Sequence, residues 1–140
     1  MQTDFIIHCI PPRATGQSTT RVGRSQSGRS FVYKDKRGQK LRDELLILLM
    51  EHSPPEPFDG ALAVRVKFVY PWRKSEPKYR RELGEVPMTS RPDLDNLLKV
   101  FLDQMQTARF FLRGDSQLAE ITASKSWGDL PRIEVGLMTI

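Results

Sequence analysis

The run "ALAVRVKFVY", residues 61–70, alternates with a period of two. Leu62, Val64, Val66, Phe68 and Tyr70 fall on one side of an extended chain, and Ala63, Arg65, Lys67 and Val69 on the other. A strand patterned this way belongs to a sheet with one face against an apolar layer and the other toward water. The covering layer is written further along. Leu97, Leu98, Phe101, Leu102 and Met105 recur at helical spacing and predict a helix reaching to about Ala108. A second helix is predicted over Lys36–Glu51, with Asp35 as its cap and Leu41, Leu45, Leu48 and Leu49 on one side. "DFIIHCI" (4–10) reads as a strand stopped by Pro11 and Pro12, and "FVY" (31–33) as a brief strand. Residues 118–126 and 132–140 read as a hairpin about a turn at "WGDLP". The order β–(β)–α–β–α–β–β describes an α/β fold (α+β mixed): one domain, residues 1–140, with a mixed sheet packed with two main helices. A chain of 140 residues is the size of one domain and can bury a core without disulfides.

The charge is unevenly placed. Net charge is +5, and residues 1–50 hold nine Lys/Arg against four Asp/Glu, so that part carries the whole excess. Much of it lies in "RATGQSTTRVGRSQSGRS" (13–30), which has almost nothing to bury and reads as a flexible basic loop. The connection at 72–90 is basic in its first half. Such segments suit a polyanionic partner, or they are simply a solvated face; an acidic, metal-type cluster nearby would decide for nucleic acid. One cysteine, Cys9, excludes an internal disulfide and a cysteine-built zinc site. His8 and His52 stand alone and read as structural, and there is no glycine-rich phosphate loop or internal repeat. No apolar run approaches the roughly 20 residues that span a bilayer. With no signal-like N-terminus, the expectation is a soluble cytoplasmic protein with no membrane partner.

"TSRPDLDNLLKVFLDQM" (89–105) supplies the acidic candidate. Within a helix, Asp93 and Asp95 would point to nearly opposite sides; in extended chain they share a face. A helix that begins only after Asp93 lets both carboxylates converge at its first turn. Two close carboxylates repel unless a cation lies between them, and an oxygen-only set suits Mg²⁺ or Mn²⁺. The plainer alternative is a capping box at Ser90-Arg91-Pro92-Asp93 followed by a solvated Asp95. Asp115, in "RGDSQ", follows the same helix and adds a third carboxylate, or serves as a turn residue after Gly114. Lys99, four residues after Asp95, faces the same site, or forms an exposed ion pair with Asp95 or Asp103.

The stretch "RPDLDNLLKVFLDQMQTARFFLRGDSQL" resembles the RusA-type Holliday junction resolvases, endonucleases common in bacteria and their phages. The resemblance is carried by Asp93-Leu94-Asp95-Asn96-Leu97, Lys99, the pair Phe110-Phe111, and Asp115-Ser116-Gln117. "SKSWGDLPRIEV" adds a lysine-containing strand, with Lys125 in the lysine position, and the closing hairpin. The chain departs from the family's pattern where two consecutive acids often stand: here they are Gly114-Asp115. The resemblance implies a homodimeric, Mg²⁺-dependent (Mn²⁺ as alternative) endodeoxyribonuclease that nicks four-way DNA junctions in pairs. Bacteria, phages or prophages would encode it. By this likeness Asp93, Asp95 and Asp115 hold the metal, Lys99 completes the catalytic set and Asn96 supports it. Arg13, Arg21, Arg24, Arg29, Arg73, Lys74, Lys78, Arg80, Arg81 and Lys125 would then contact DNA. Trp72 and Tyr79 would either stack on unpaired bases or serve in packing. Two other readings use the same fold: a non-catalytic branched-DNA-binding protein, and a nuclease of broader taste for forks and flaps.

Overall fold

The computed structural model describes residues 1–13, 20–34 and 36–140. Its elements, in chain order, are β1 (Gln2–Ile7), β2 (Thr20–Arg24), β3 (Ser30–Lys34), α1 (Lys36–Met50) and β4 (Leu62–Pro71). There follow α2 (Lys78–Arg81), β5 (Val86–Pro87), α3 (Leu94–Thr107), a short 3₁₀ turn (Asp115–Gln117), β6 (Leu118–Gly128) and β7 (Arg132–Thr139). Five strands form one mixed sheet in the order β1-β7-β4-β6-β5, and β2 pairs with β3 separately. Only the β4–β6 pair is parallel in the larger sheet; β1–β7, β4–β7 and β5–β6 are antiparallel.

β4 lies at the centre, as its alternation requires. Leu62, Val64, Val66, Phe68 and Tyr70 are buried on the helix side, together with Ile133, Val135 and Leu137 of β7. Against them pack Leu97, Phe101, Leu102 and Met105 of α3 and Leu45 and Leu49 of α1. The Phe101 ring meets Phe68 edge-on, with centroids 5.6 Å apart. The opposite sheet face is charged. Asp4 and Arg65 pair at 3.5 Å, and Lys67, Glu85, Arg132 and Glu134 form a network in which Lys67 bonds Glu85 and Arg132 reaches Glu85 at 2.5 Å. The bond from Lys67 holds the Glu85 carboxyl below the usual carboxylate range, and Arg132 adds to the effect against partial burial.

Four expectations need correction. β6 and β7 are not a hairpin: each pairs with β4, one on either side, and residues 129–131 cross the end of that strand. Alternation assigns faces, not partners, and β4 has two edges, one taken by β6 and the other by β7. The first strand ends at Ile7 and not at Ile10: its ladder with β7 stops at the pair Ile7↔Ile133. The basic loop is partly ordered as a ladder, since Thr20–Arg24 pairs with Ser30–Lys34 in the register Val22↔Val32. Its turn is closed by bonds from Ser25 N to Arg29 O (2.8 Å) and from Gly28 N to Ser25 O (2.9 Å), with Gly28 at φ +82°. The predicted cap Asp35 and residues 14–19 of the loop lie outside the described residues. Finally, α2 and β5 are elements that the 72–90 connection did not announce; four and two residues are too short for a periodic signal.

Candidate active site

β4, α3 and β6 form a crossover in which α3 starts near the end of the parallel pair. β5 hydrogen-bonds the end of β6 (Val86↔Trp127, Pro87↔Ser126), and Met88 N donates to Lys125 O at 3.1 Å. The chain then passes through Ser90, Arg91 and a cis Pro92 into Asp93. Asp93 is extended (φ −67°, ψ 135°) and precedes the helix, which begins at Leu94. Its side chain makes no capping bond, although its carbonyl accepts the first helical bond from Leu97 N at 3.0 Å. The capping box at Ser90–Asp93 therefore does not form. Asp95, one residue into α3, accepts from the backbone N–H of Asn96 through Oδ1 at 2.9 Å. Both carboxylates are exposed at the positive end of the helix dipole.

Lys99 lies one turn further on and joins the third acid. Its Nζ donates to Asp115 Oδ2 at 2.5 Å and to Asp103 Oδ1 at 3.0 Å, not to Asp95. The bond to Asp115, then that to Asp103, raises the Lys99 pKa above its ordinary value, so the ammonium stays charged. With side chains 59% and 44% exposed, the Lys99–Asp115 pair contributes little to stability. Its geometry matters more: it ties the turn before β6 to α3.

That turn is built with care for its shape. Gly114 holds φ +78°, a conformation costly for any side chain, which accounts for the glycine. Gln117 is buried; its Nε2 donates to Phe58 O at 2.7 Å and its Oε1 accepts from Arg113 N at 3.3 Å. Phe110 and Phe111 are fully buried, and Phe58 N donates to Phe110 O at 2.8 Å. The aromatic pair and the glutamine thus anchor the turn that carries Asp115 in the core. Sequence reasoning missed this support; the signal available was an aromatic pair and an amide on either side of one acid.

Among the described residues, no three His, Cys, Asp or Glu side chains are gathered as a metal-holding group. The donor chemistry nevertheless fits a hard cation. Mg²⁺ is commonly held by one or two carboxylates with waters and substrate phosphate oxygens; Asp93 and Asp95 offer two at the start of α3, and Lys99 holds Asp115 separately. Asn96 and Lys99 also line a groove of about 510 Å³ between α1 and α3, whose other wall carries Gln39 and Arg42. Neither of those two was singled out from sequence.

The expected DNA contacts fall into groups. Arg24, Arg29 and Lys74 are exposed, and Arg21 is placed in β2 by its backbone. Arg13 lies over the Tyr70 ring at 5.8 Å and Arg73 over the Trp127 ring at 4.8 Å. Arg81 donates to Arg73 O, Arg80 pairs with Glu76 at 2.8 Å, and Lys78 lies 3.9 Å from Glu82. Lys125 is turned inward, where it donates to two backbone carbonyls. Trp72 donates to Asp129 at 2.8 Å and is half-buried, whereas Tyr79 on α2 is 69% exposed. The two aromatics therefore separate: packing accounts for Trp72 and not for Tyr79. No helix among the described residues is long and apolar enough to cross a membrane.

A mixed sheet covered on one face, with an acidic helix start on the crossover from its parallel pair, is the frame that the sequence motif occupies. The chain belongs to the RusA endodeoxyribonuclease family: the family model, Endodeoxyribonuclease RusA, matches residues 10–138. Nuclease is accordingly its enzyme class. The crossover junction endodeoxyribonuclease rusA of Lactococcus phage r1t is 31% identical over 110 residues, covering 77% of this chain and 78% of that protein. The uncharacterized protein YqaN of Bacillus subtilis (strain 168) is 25% identical over 118 residues, covering 81% and 82%.

Proposed function

We propose that the protein is a Mg²⁺-dependent, structure-selective endodeoxyribonuclease that resolves four-way DNA junctions by paired nicks, acting as a homodimer. The observation that carries this reading is the uncapped Asp93 beside Asp95 at the start of α3, one turn from the Lys99–Asp115 pair, in a member of this family. The phage relative, named for crossover junctions, supports the choice of substrate.

Asp93, Asp95 and Asp115 would hold the cation. When bound, it would supply positive charge at the scissile phosphate and acidify the attacking water. The remaining work belongs to the chain. The Asn96 N–H fixes one oxygen of Asp95, leaving the other to face outward. Lys99 keeps Asp115 neutralised before DNA arrives and, once that carboxylate is drawn toward a cation, offers its ammonium to a phosphate oxygen. A two-fold dimer presents two such sites to the two strands that must be cut symmetrically; the apolar strand residues of the C-terminal half, such as Ile121 and Met138, are its candidate contacts.

Arg24 and Arg29, with Arg21, would track phosphates through the β2–β3 hairpin. Neutralising all three should flatten the slope of log affinity against log salt by up to about 3, since each lost phosphate contact releases about one counterion fewer. An unchanged slope would make the hairpin a solvated surface. The function itself is tested by cleavage of labelled four-way, three-way, flap and linear substrates in Mg²⁺. Preference for the four-way junction supports a resolvase, equal cutting of forks and flaps supports the broader nuclease, and binding without cutting supports a junction-binding protein.

A further inference from the structure

We infer that Lys125 is a positioning residue for the acidic helix start and not a contact to DNA. Lys125 lies on β6 in register with Phe68 of β4, on the sheet side that the helices cover. Its Nζ donates to Ser90 O at 2.5 Å and to Pro92 O at 2.6 Å. Its own carbonyl accepts from Met88 N at 3.1 Å. One residue of a central-sheet strand thus holds the lead-in to α3 at three points, and the last lies immediately before Asp93.

An ammonium has three donors, and two of these are already committed to partly buried carbonyls. Charge-assisted bonds of this kind are stronger than neutral ones, and their removal leaves the carbonyls without that donor. A phosphate contact asks for the opposite: an exposed cation free to exchange water for DNA, as Arg24 and Arg29 are. The bracketed residue, Arg91, is exposed, and the next after Pro92 is Asp93 in its extended, uncapped conformation. Lys125 therefore sets the point from which the Asp93 carboxylate leaves the backbone, in the way that outer partners orient the ligands of a metal site. This inference rests on the proposed role of Asp93 as a ligand.

The test compares wild type, Lys125→Met and Lys125→Arg, with Asp93→Asn as a control on the parent reading. Three quantities are read: amide hydrogen exchange over residues 88–97, affinity for Mn²⁺ alone by calorimetry, and junction affinity against salt in Ca²⁺. Lys125→Met should speed exchange at residues 88–97 and weaken Mn²⁺ binding about 10-fold or more, while the salt slope stays unchanged. Lys125→Arg, which keeps the donors, should recover part of both. If the methionine variant fails to fold, the arginine variant is read alone and should lie between wild type and Asp93→Asn in Mn²⁺ affinity. A salt slope shallower by about one, with exchange and Mn²⁺ affinity unchanged, would overturn the inference and return Lys125 to the phosphate contacts. Unchanged Mn²⁺ binding in Asp93→Asn would instead remove the parent reading, whatever the exchange of residues 88–97.

Discussion

Asp95→Asn is expected to lower junction cleavage by roughly 10³-fold while leaving junction binding equal or tighter, because it removes a ligand charge from a site that acts on a phosphate. Stability should change little. The Asn side-chain oxygen can still accept from the Asn96 N–H that Asp95 now engages at 2.9 Å. The loss of a negative charge from the first helical turn costs at most about 1 kcal/mol, and relief of repulsion with Asp93 offsets part of it. A gel-shift series in Ca²⁺, run beside cleavage in Mg²⁺ and a thermal melt, separates these effects. If Asp95 were only a helix-start residue, Asn would serve equally and cutting would persist.

Phe101→Ala should destabilise the fold by about 3–5 kcal/mol, a large share of the stability of a domain this size. Phe101 is fully buried at the middle of α3, and its ring is the edge-to-face partner of Phe68 on the central strand. Since α3 carries Asp95 and Lys99, cleavage at a temperature near the new midpoint should fall with the folded fraction, and recover on cooling. Chemical denaturation followed by circular dichroism measures the change; a loss below about 1 kcal/mol would mean that α3 is not packed on β4 as described.

The central strand and the two main helices were legible because each carries a long periodic row. Leu62 to Tyr70 alternates over the whole of β4, and Leu97 to Met105 marks the buried side of α3. Partner choice was not legible. The last two strands follow each other across a short turn as a hairpin would, yet each pairs with β4, and only the three-dimensional competition for that strand's edges decides it. Thr20–Arg24 escaped notice because a two-stranded ladder needs no buried row, and Arg, Gly and Thr there look like loop. Within the site, the spacing of Asp93, Asp95 and Lys99 could be read, since a helix fixes what lies one turn apart. What holds them could not: Gln117 and Lys125 act on backbone carbonyls distant in sequence, and a carbonyl leaves no mark on the amino-acid pattern.

The most direct measurement is strand-resolved cleavage of a four-way junction and of its linear duplex arms by wild-type protein, in Mg²⁺ and in chelator. The proposed function predicts paired, symmetric nicks in the junction with Mg²⁺, none in chelator, and little cutting of the linear arms in either. Junction cutting that survives chelation, or equal cutting of junction and linear duplex, would contradict it.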